Sequence, residues 1–146
     1  MPELKLSDID AEECLVASLL LHDPDFSALD LVADEDCFYD HLRPIVSTIR
    51  ALRARGKPVG TVTVLYALEP ILDSLEWRGD RGEVMILELL SRRMFDPNCW
   101  YAPAMASVIH AYAERRKALA KAQEAAKQTF QEVLESERVR YEGEMR

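Results

Sequence analysis

Carboxylates are the most abundant reactive groups in this sequence, with 26 Asp and Glu against 18 Lys and Arg. They gather in DPD (23–25), DEDC (34–37) and LESE (134–137). Paired carboxylates can do general acid–base work or hold a hard cation. Here, however, they fall at predicted helix starts, as in SDID (7–10), or on faces open to water, and the helix dipole accounts for them without catalysis. The acidic runs contain no glycine, so none is a calcium loop. Cys14, Cys37 and Cys99 are far apart and form no C-x-x-C, and His22, His41 and His110 stand beside no cysteine pair. That spacing predicts reduced, separate thiols rather than a disulfide framework or a zinc site. His22 and His110 read as structural. No G-x-x-x-x-G-K-[ST] occurs, and Gly56-Lys57 is followed by Pro58, so nothing here cradles a nucleotide phosphate. The tripeptide RGD at 78–80 has no chemical meaning in this setting. No catalytic residue, cofactor or metal is expected.

Two basic clusters remain. Arg50, Arg53, Arg55 and Lys57 gather at one predicted helix end, where cations favour the carbonyl terminus. Arg115, Arg116 and Lys117 form a candidate basic patch near Trp100, Tyr101 and Tyr112, and basic residues beside aromatics can hold a single strand. The plainer reading pairs them with glutamates of the same helix. A formal charge of −8 repels phosphate backbones and argues against nucleic acid as the main direct partner. The N-terminal MPELKLSD lacks the basic start and apolar core of a signal peptide, and no apolar run approaches a membrane span. A cytoplasmic protein is expected.

The elements that position these groups are helical, because apolar residues recur at three and four along nearly the whole chain. Helix one starts after Ser7 or Asp8, carries Leu15, Val16, Leu19 and Leu20 as its buried stripe, and stops at Pro24. FSALDLVA (26–33) is a short second helix, and the turn DEDCFYD brings Phe38 inward. LRPIVSTIRALRARG puts Ile45, Val46, Ile49 and Leu52 on one face, with Gly56 as its C-cap and Pro58 beyond it. A helix from Thr61 or Thr63 is broken by Pro70. WRGDRG (77–82) is a loop, EVMILELLSRRM is a compact helix, and FDPN ends it.

After Pro103 the composition changes: from Ala104 to Glu142 there is neither Gly nor Pro. Met105, Ile109, Tyr112, Leu119, Ala126, Phe130 and Val133 step by four and three with polar breaks at Arg116 and Gln123, which makes them a candidate association seam. One continuous helix here would span on the order of 50–60 Å at 1.5 Å per residue, so part of it projects, folds back as a hairpin or meets another chain. The predicted fold class is therefore all-α: a compact multi-helix head, residues 1–103, followed by a long C-terminal helix or helical hairpin for association, residues 104–146.

Five segments in order carry a resemblance: AEECLVASLLLHDPDF, DEDCFYDHLRPIVSTIRAL, GKPVGTVTVLYAL, RGEVMILELL and DPNCWYAPAMASVIHAYAERRKAL. This order is similar to the N-terminal domain of DnaB-type bacterial replicative helicases, over residues 7–120. That family has an Ala-Glu start, a leucine helix, a DFY turn, an Ile-Phe helix, a G-x-P-I-D-x-x-T-L segment and a final helix with Y-A, V and R. The chain departs from the pattern at Gly60, where an aspartate cap is usual, at Ala17 for glycine, at Met85 for tyrosine, and by one residue between Phe38 and Ile45. The resemblance implies an all-helical head that self-associates and binds the primase C-terminal domain, a helicase loader or a helicase. In the family a P-loop motor follows this domain. Here the sequence ends at Arg146, so a non-enzymatic replication protein is expected, with a single-stranded nucleic-acid binder or a stand-alone regulator of helicase or primase as alternatives.

Overall fold

The computed structural model describes residues 5–22 and 26–145. Contacts divide the chain into two units, Met1–Ala113 and Glu114–Arg146. In the first unit, α1 (Ile9–Leu21) is the central element. Asp8 is its N-cap, its Oδ1 accepting from the Ala11 amide at 3.1 Å. The stop expected at Pro24 lies outside the described residues. The stripe predicted for α1 is too narrow: Ala11 through Leu19 are all buried, so the helix is enclosed on every side. Two carboxylates and Ser18 are therefore interior as well.

The segment 26–33 is not one helix. A 3₁₀ turn, Ser27–Asp30, takes its place and a second, Asp34–Asp36, follows; Arg50 ties them together, bonding the Asp34 carboxylate at 2.9 Å and the carbonyls of Leu29 and Val32. Phe38 does not turn inward. Backbone at Cys37 is extended, so side chains alternate: Cys37 is buried, Phe38 is 48% exposed, and Tyr39 packs against the core.

Helix α2 (Arg43–Ala54) buries Ile45, Val46, Ile49 and Leu52 as expected. Gly56 adopts φ 69°, with its amide on the Arg53 carbonyl and that of Lys57 on the Leu52 carbonyl, the paired bonds of a Schellman cap. Helix α3 (Thr61–Leu68) starts at Gly60 without an aspartate, and the Thr63 hydroxyl reaches back to accept from the Gly60 amide at 2.9 Å, the reverse half of a capping box. It ends before Pro70. WRGDRG is not an open loop but a minimal hairpin, β1 (Glu76–Trp77) antiparallel to β2 (Asp80–Arg81). Arg78 and Gly79 both have positive φ, as a tight right-twisting turn requires. Helix α4 (Gly82–Arg93) then buries Met85, Ile86, Leu89 and Leu90 at helical spacing. Leu15, Val16 and Leu19 share one core with Ile45, Ile49, Leu68, Ile86 and Leu89, and Leu65 is partly buried against it.

A 3₁₀ turn at Pro97–Trp100 packs against α1 and corrects the cysteine expectation. Cys14 and Cys99, 85 residues apart, are joined as a disulfide with Cα atoms 4.5 Å apart. Sequence distance had hidden a spatial pair. Cys37 stays a thiol, and burial pushes its pKa up to about 12. The last element, α5, runs as one helix from Ala102 to Glu144 rather than as a hairpin. No helix among the described residues is long and apolar enough to cross a membrane.

Two outcomes follow from this packing. Thiol titration of the unfolded, unreduced protein should find one reactive cysteine, and three after reduction; three at the outset would rule out the Cys14–Cys99 bond. The Glu13 side chain is buried between Arg92 and Arg93, at 3.0 Å from each. Replacing it with Ala leaves Arg92 without its carboxylate, while Arg93 keeps Asp10 and Asp96, and should lower unfolding stability in urea by about 2 kcal/mol. Glu132→Ala on the exposed face of α5 should stay within about 0.5 kcal/mol of the parent.

Candidate interaction surface

The seam residues do not share one environment. Ile109 is 2% exposed within the head's own core, and Met105 packs against that core. Tyr112 is half-buried, with the Lys5 ammonium 5.7 Å from its ring centre. These positions are thus used within the chain. Beyond Ala113 the picture changes: Leu119 is half-buried, Ala126 is exposed, and Phe130 and Val133 are 63% and 55% exposed. Leu134 and Tyr141, which the heptad reading passed over, are exposed on the same side of the helix as Phe130, since steps of four and eleven residues both return to one face. Pairs Glu114–Lys117, Glu135–Arg138 and Glu137–Arg140 support this helix at i, i+3.

Of the basic patch, Arg115 and Lys117 are exposed and Arg116 is half-buried. Lys117 bonds Glu114 at 3.4 Å, and none of the three residues is without an interaction.

Sequence reasoning missed a surface on the head. Between the end of α2 and α3 lies an open groove of about 890 Å³. Leu52, Pro58, Val62 and Tyr66 supply its apolar lining, with Val62 and Tyr66 each 79% exposed, and Arg55 and Lys57 stand on its rim. The signal was present in the sequence: Val62 and Tyr66 lie four apart in a helix whose other face is buried through Val64 and Leu68. The β-branched opening of the segment obscured it.

The polar interior of the head shows no catalytic arrangement among the described residues. Asp36, 2% exposed, accepts from the Ala33 amide and contacts His110 Nδ1, both at 3.0 Å, linking a 3₁₀ turn to α5. Cys14, Asp96 and Cys99 lie within metal-ligating reach of one another. Bonded to each other, the two sulfurs offer no thiolate, and Asp96 is engaged by Arg93 and by the Asn98 amide. His41 is 5% exposed and stacks on Trp77 at 4.3 Å, which in turn meets Tyr39 edge-on. Burial lowers its pKa from 6.5 to about 4, and Glu13 offsets only part of that.

A histidine held neutral in the fold takes up its proton first in the unfolded chain. Its contribution is therefore complete above pH about 6.5 and is lost as pH falls toward 4. Relative to His41→Phe, the parent should lose an additional 2–3 kcal/mol or so over that window, read from urea melts at each pH. Parallel pH curves for the two proteins would contradict a buried neutral imidazole.

The fold described above is also that of the N-terminal domain of DnaB helicase from Mycobacterium tuberculosis. The two structures align with a TM-score of 0.74 over 87% of this chain and 88% of that one, at 21% identity. At that identity the likeness is one of fold. No curated protein matches the sequence significantly. The family model of the DnaB-like helicase N terminal domain matches residues 4–99, which spans α1 through α4 and most of this chain. The chain therefore belongs to the DnaB-like helicase N-terminal domain family.

Proposed function

We propose that this chain is a non-catalytic interaction domain of DNA replication in the cytoplasm, which self-associates through α5 and docks on the primase C-terminal domain, a helicase loader or a helicase. Family membership across residues 4–99 supports the replication role. The observation that carries self-association is the exposure of Phe130, Val133 and Leu134 together on one helix. Isolated exposed apolar residues are ordinary; a contiguous set on a solvated helix is an interface in search of its other half. In this reading the head, residues 1–103, is a rigid platform and the segment 104–146 is the means of association. A chain of charge −8 is poorly suited to hold a phosphate backbone.

Light-scattering mass of the purified chain, alone and with the primase C-terminal domain of the same organism, tests both parts. A dimer or larger assembly is expected, with further mass on adding primase. Leu119→Asp with Phe130→Asp should give monomers that retain the parent's helical circular dichroism and cooperative melt. A double variant with the parent's mass would remove α5 as the site of association. Uptake of a single-stranded oligonucleotide, weakening steeply with salt, in place of primase would favour the nucleic-acid alternative.

A further inference from the structure

The α5 face described above must meet something, and the chain itself presents a surface of opposite character. Every Lys and Arg between residues 5 and 113, apart from two, is engaged by a carboxylate, a carbonyl oxygen or an aromatic ring. The two exceptions are Arg55 and Lys57, whose side chains have no hydrogen bond, ion pair or ring contact among the described residues. Both are exposed, and both line the α2–α3 groove beside Val62 and Tyr66. Unpaired cations next to an exposed apolar surface, in a chain of charge −8, describe a site for an acidic amphipathic helix.

The exposed part of α5 has that chemistry. Phe130, Leu134 and Tyr141 lie on one face, with Val133 at its edge, and Glu137 and Glu144 fall on the same face at seven and fourteen residues from Phe130. Both glutamates share one cation, Arg140, at 2.9 Å and 4.0 Å. Such exposed pairs contribute little and exchange partners readily. We infer that the α2–α3 groove receives this face of α5 from a second copy of the chain, with Phe130 and Leu134 against Val62 and Tyr66 and with Glu137 and Glu144 meeting Arg55 and Lys57. The assignment rests on the self-association proposed above and names the surface that α5 meets. The contact joins two different surfaces, so it closes as a dimer only where two copies exchange it reciprocally, which is the arrangement inferred here.

Charge reversal tests it without disturbing the core, since all four charged groups are exposed. Arg55→Glu with Lys57→Glu should weaken the dimer roughly tenfold in sedimentation equilibrium at low salt, and Glu137→Arg with Glu144→Arg should do the same. Mixing the two variants should restore dimerisation as heterodimers, each carrying one repaired contact. Val62→Ser with Tyr66→Ser should also weaken it while leaving the melt unchanged. If Leu119→Asp with Phe130→Asp gives monomers while the groove variants dimerise as the parent does, self-association stands and the groove assignment is overturned. Weakening by both reversals without restoration on mixing would overturn the assigned pairing. A parent chain monomeric at every concentration would end the self-association reading and this one with it.

Discussion

Two adjacent glutamates, Glu12 and Glu13, are each 2% exposed on the helix at the centre of the head, and the surrounding chain is arranged to satisfy them. An ionised carboxylate removed from water costs several kcal/mol unless donors replace the lost hydration. Because neighbouring residues on a helix point about 100° apart, the two demands fall on different parts of the chain. Glu12 accepts from the backbone amides of Phe38 and Tyr39 at 3.1 and 3.2 Å, which fastens the turn after the second 3₁₀ segment. Glu13 takes Arg92 and Arg93 from the end of α4, and Arg93 reaches on to Asp10 and Asp96. A one-residue slip of α1 would exchange these partners, so the pair fixes register where the apolar contacts around an enclosed helix would tolerate rotation. In this chain Glu12 and the Phe38-Tyr39 turn are thus the acceptor and the donors of one interaction.

What the sequence made legible is local. Asp8 as a cap, Gly56 with Pro58 as a stop, Pro70 as a break and the periodicity of α2 and α4 each follow from the chemistry of a few neighbouring residues, and each appears in the structure. What escaped is tertiary. Glutamates at a helix start look like dipole partners, and only the fold shows that Glu12 and Glu13 are interior. Phe38 outranks Tyr39 in hydrophobicity, yet extended backbone at Cys37 and the Ser7–Tyr39 hydroxyl contact at 3.1 Å place Tyr39 inward. Cys14 and Cys99 become neighbours only once the Pro97–Trp100 turn packs on α1. The hairpin at Trp77 is too short for alternation to register.

The heptad on α5 shows why periodicity is a weaker guide to a site than to an element. Spacing by three and four establishes that a helix has an apolar face, and this one does. It carries no information about what covers that face. Met105 and Ile109 satisfy the pattern by burial in the head, whereas Phe130 and Val133 satisfy it while exposed. The same repeat thus serves intramolecular packing in one stretch and leaves an open surface in another. The boundary is visible in composition as well: the buried stretch uses Ala102, Ala106 and Ala113 for close approach, whereas the exposed one carries i, i+3 charge pairs that keep a solvated helix formed.

Unpaired charge supplies the information that hydrophobic spacing lacks. In a packed head, cations settle against whatever acceptor lies within reach, because even an exposed pair gives a small gain. Arg50 and Arg53 belong to the same basic run as Arg55 and Lys57, yet they are spent on stapling the 3₁₀ turns and covering Phe26. The Schellman cap at Gly56 marks the difference, since it ends α2 and leaves Arg55 and Lys57 past the helix, on the rim of the groove. The cap thereby does two things at once. It ends α2 cleanly, and it sets two cations beside the exposed face of α3 with no acceptor from their own chain. A run that reads in sequence as one cluster at a helix end is divided by the fold into a half held by the head's own groups and an outward half. The outward half is where the head can recognise an acidic helix.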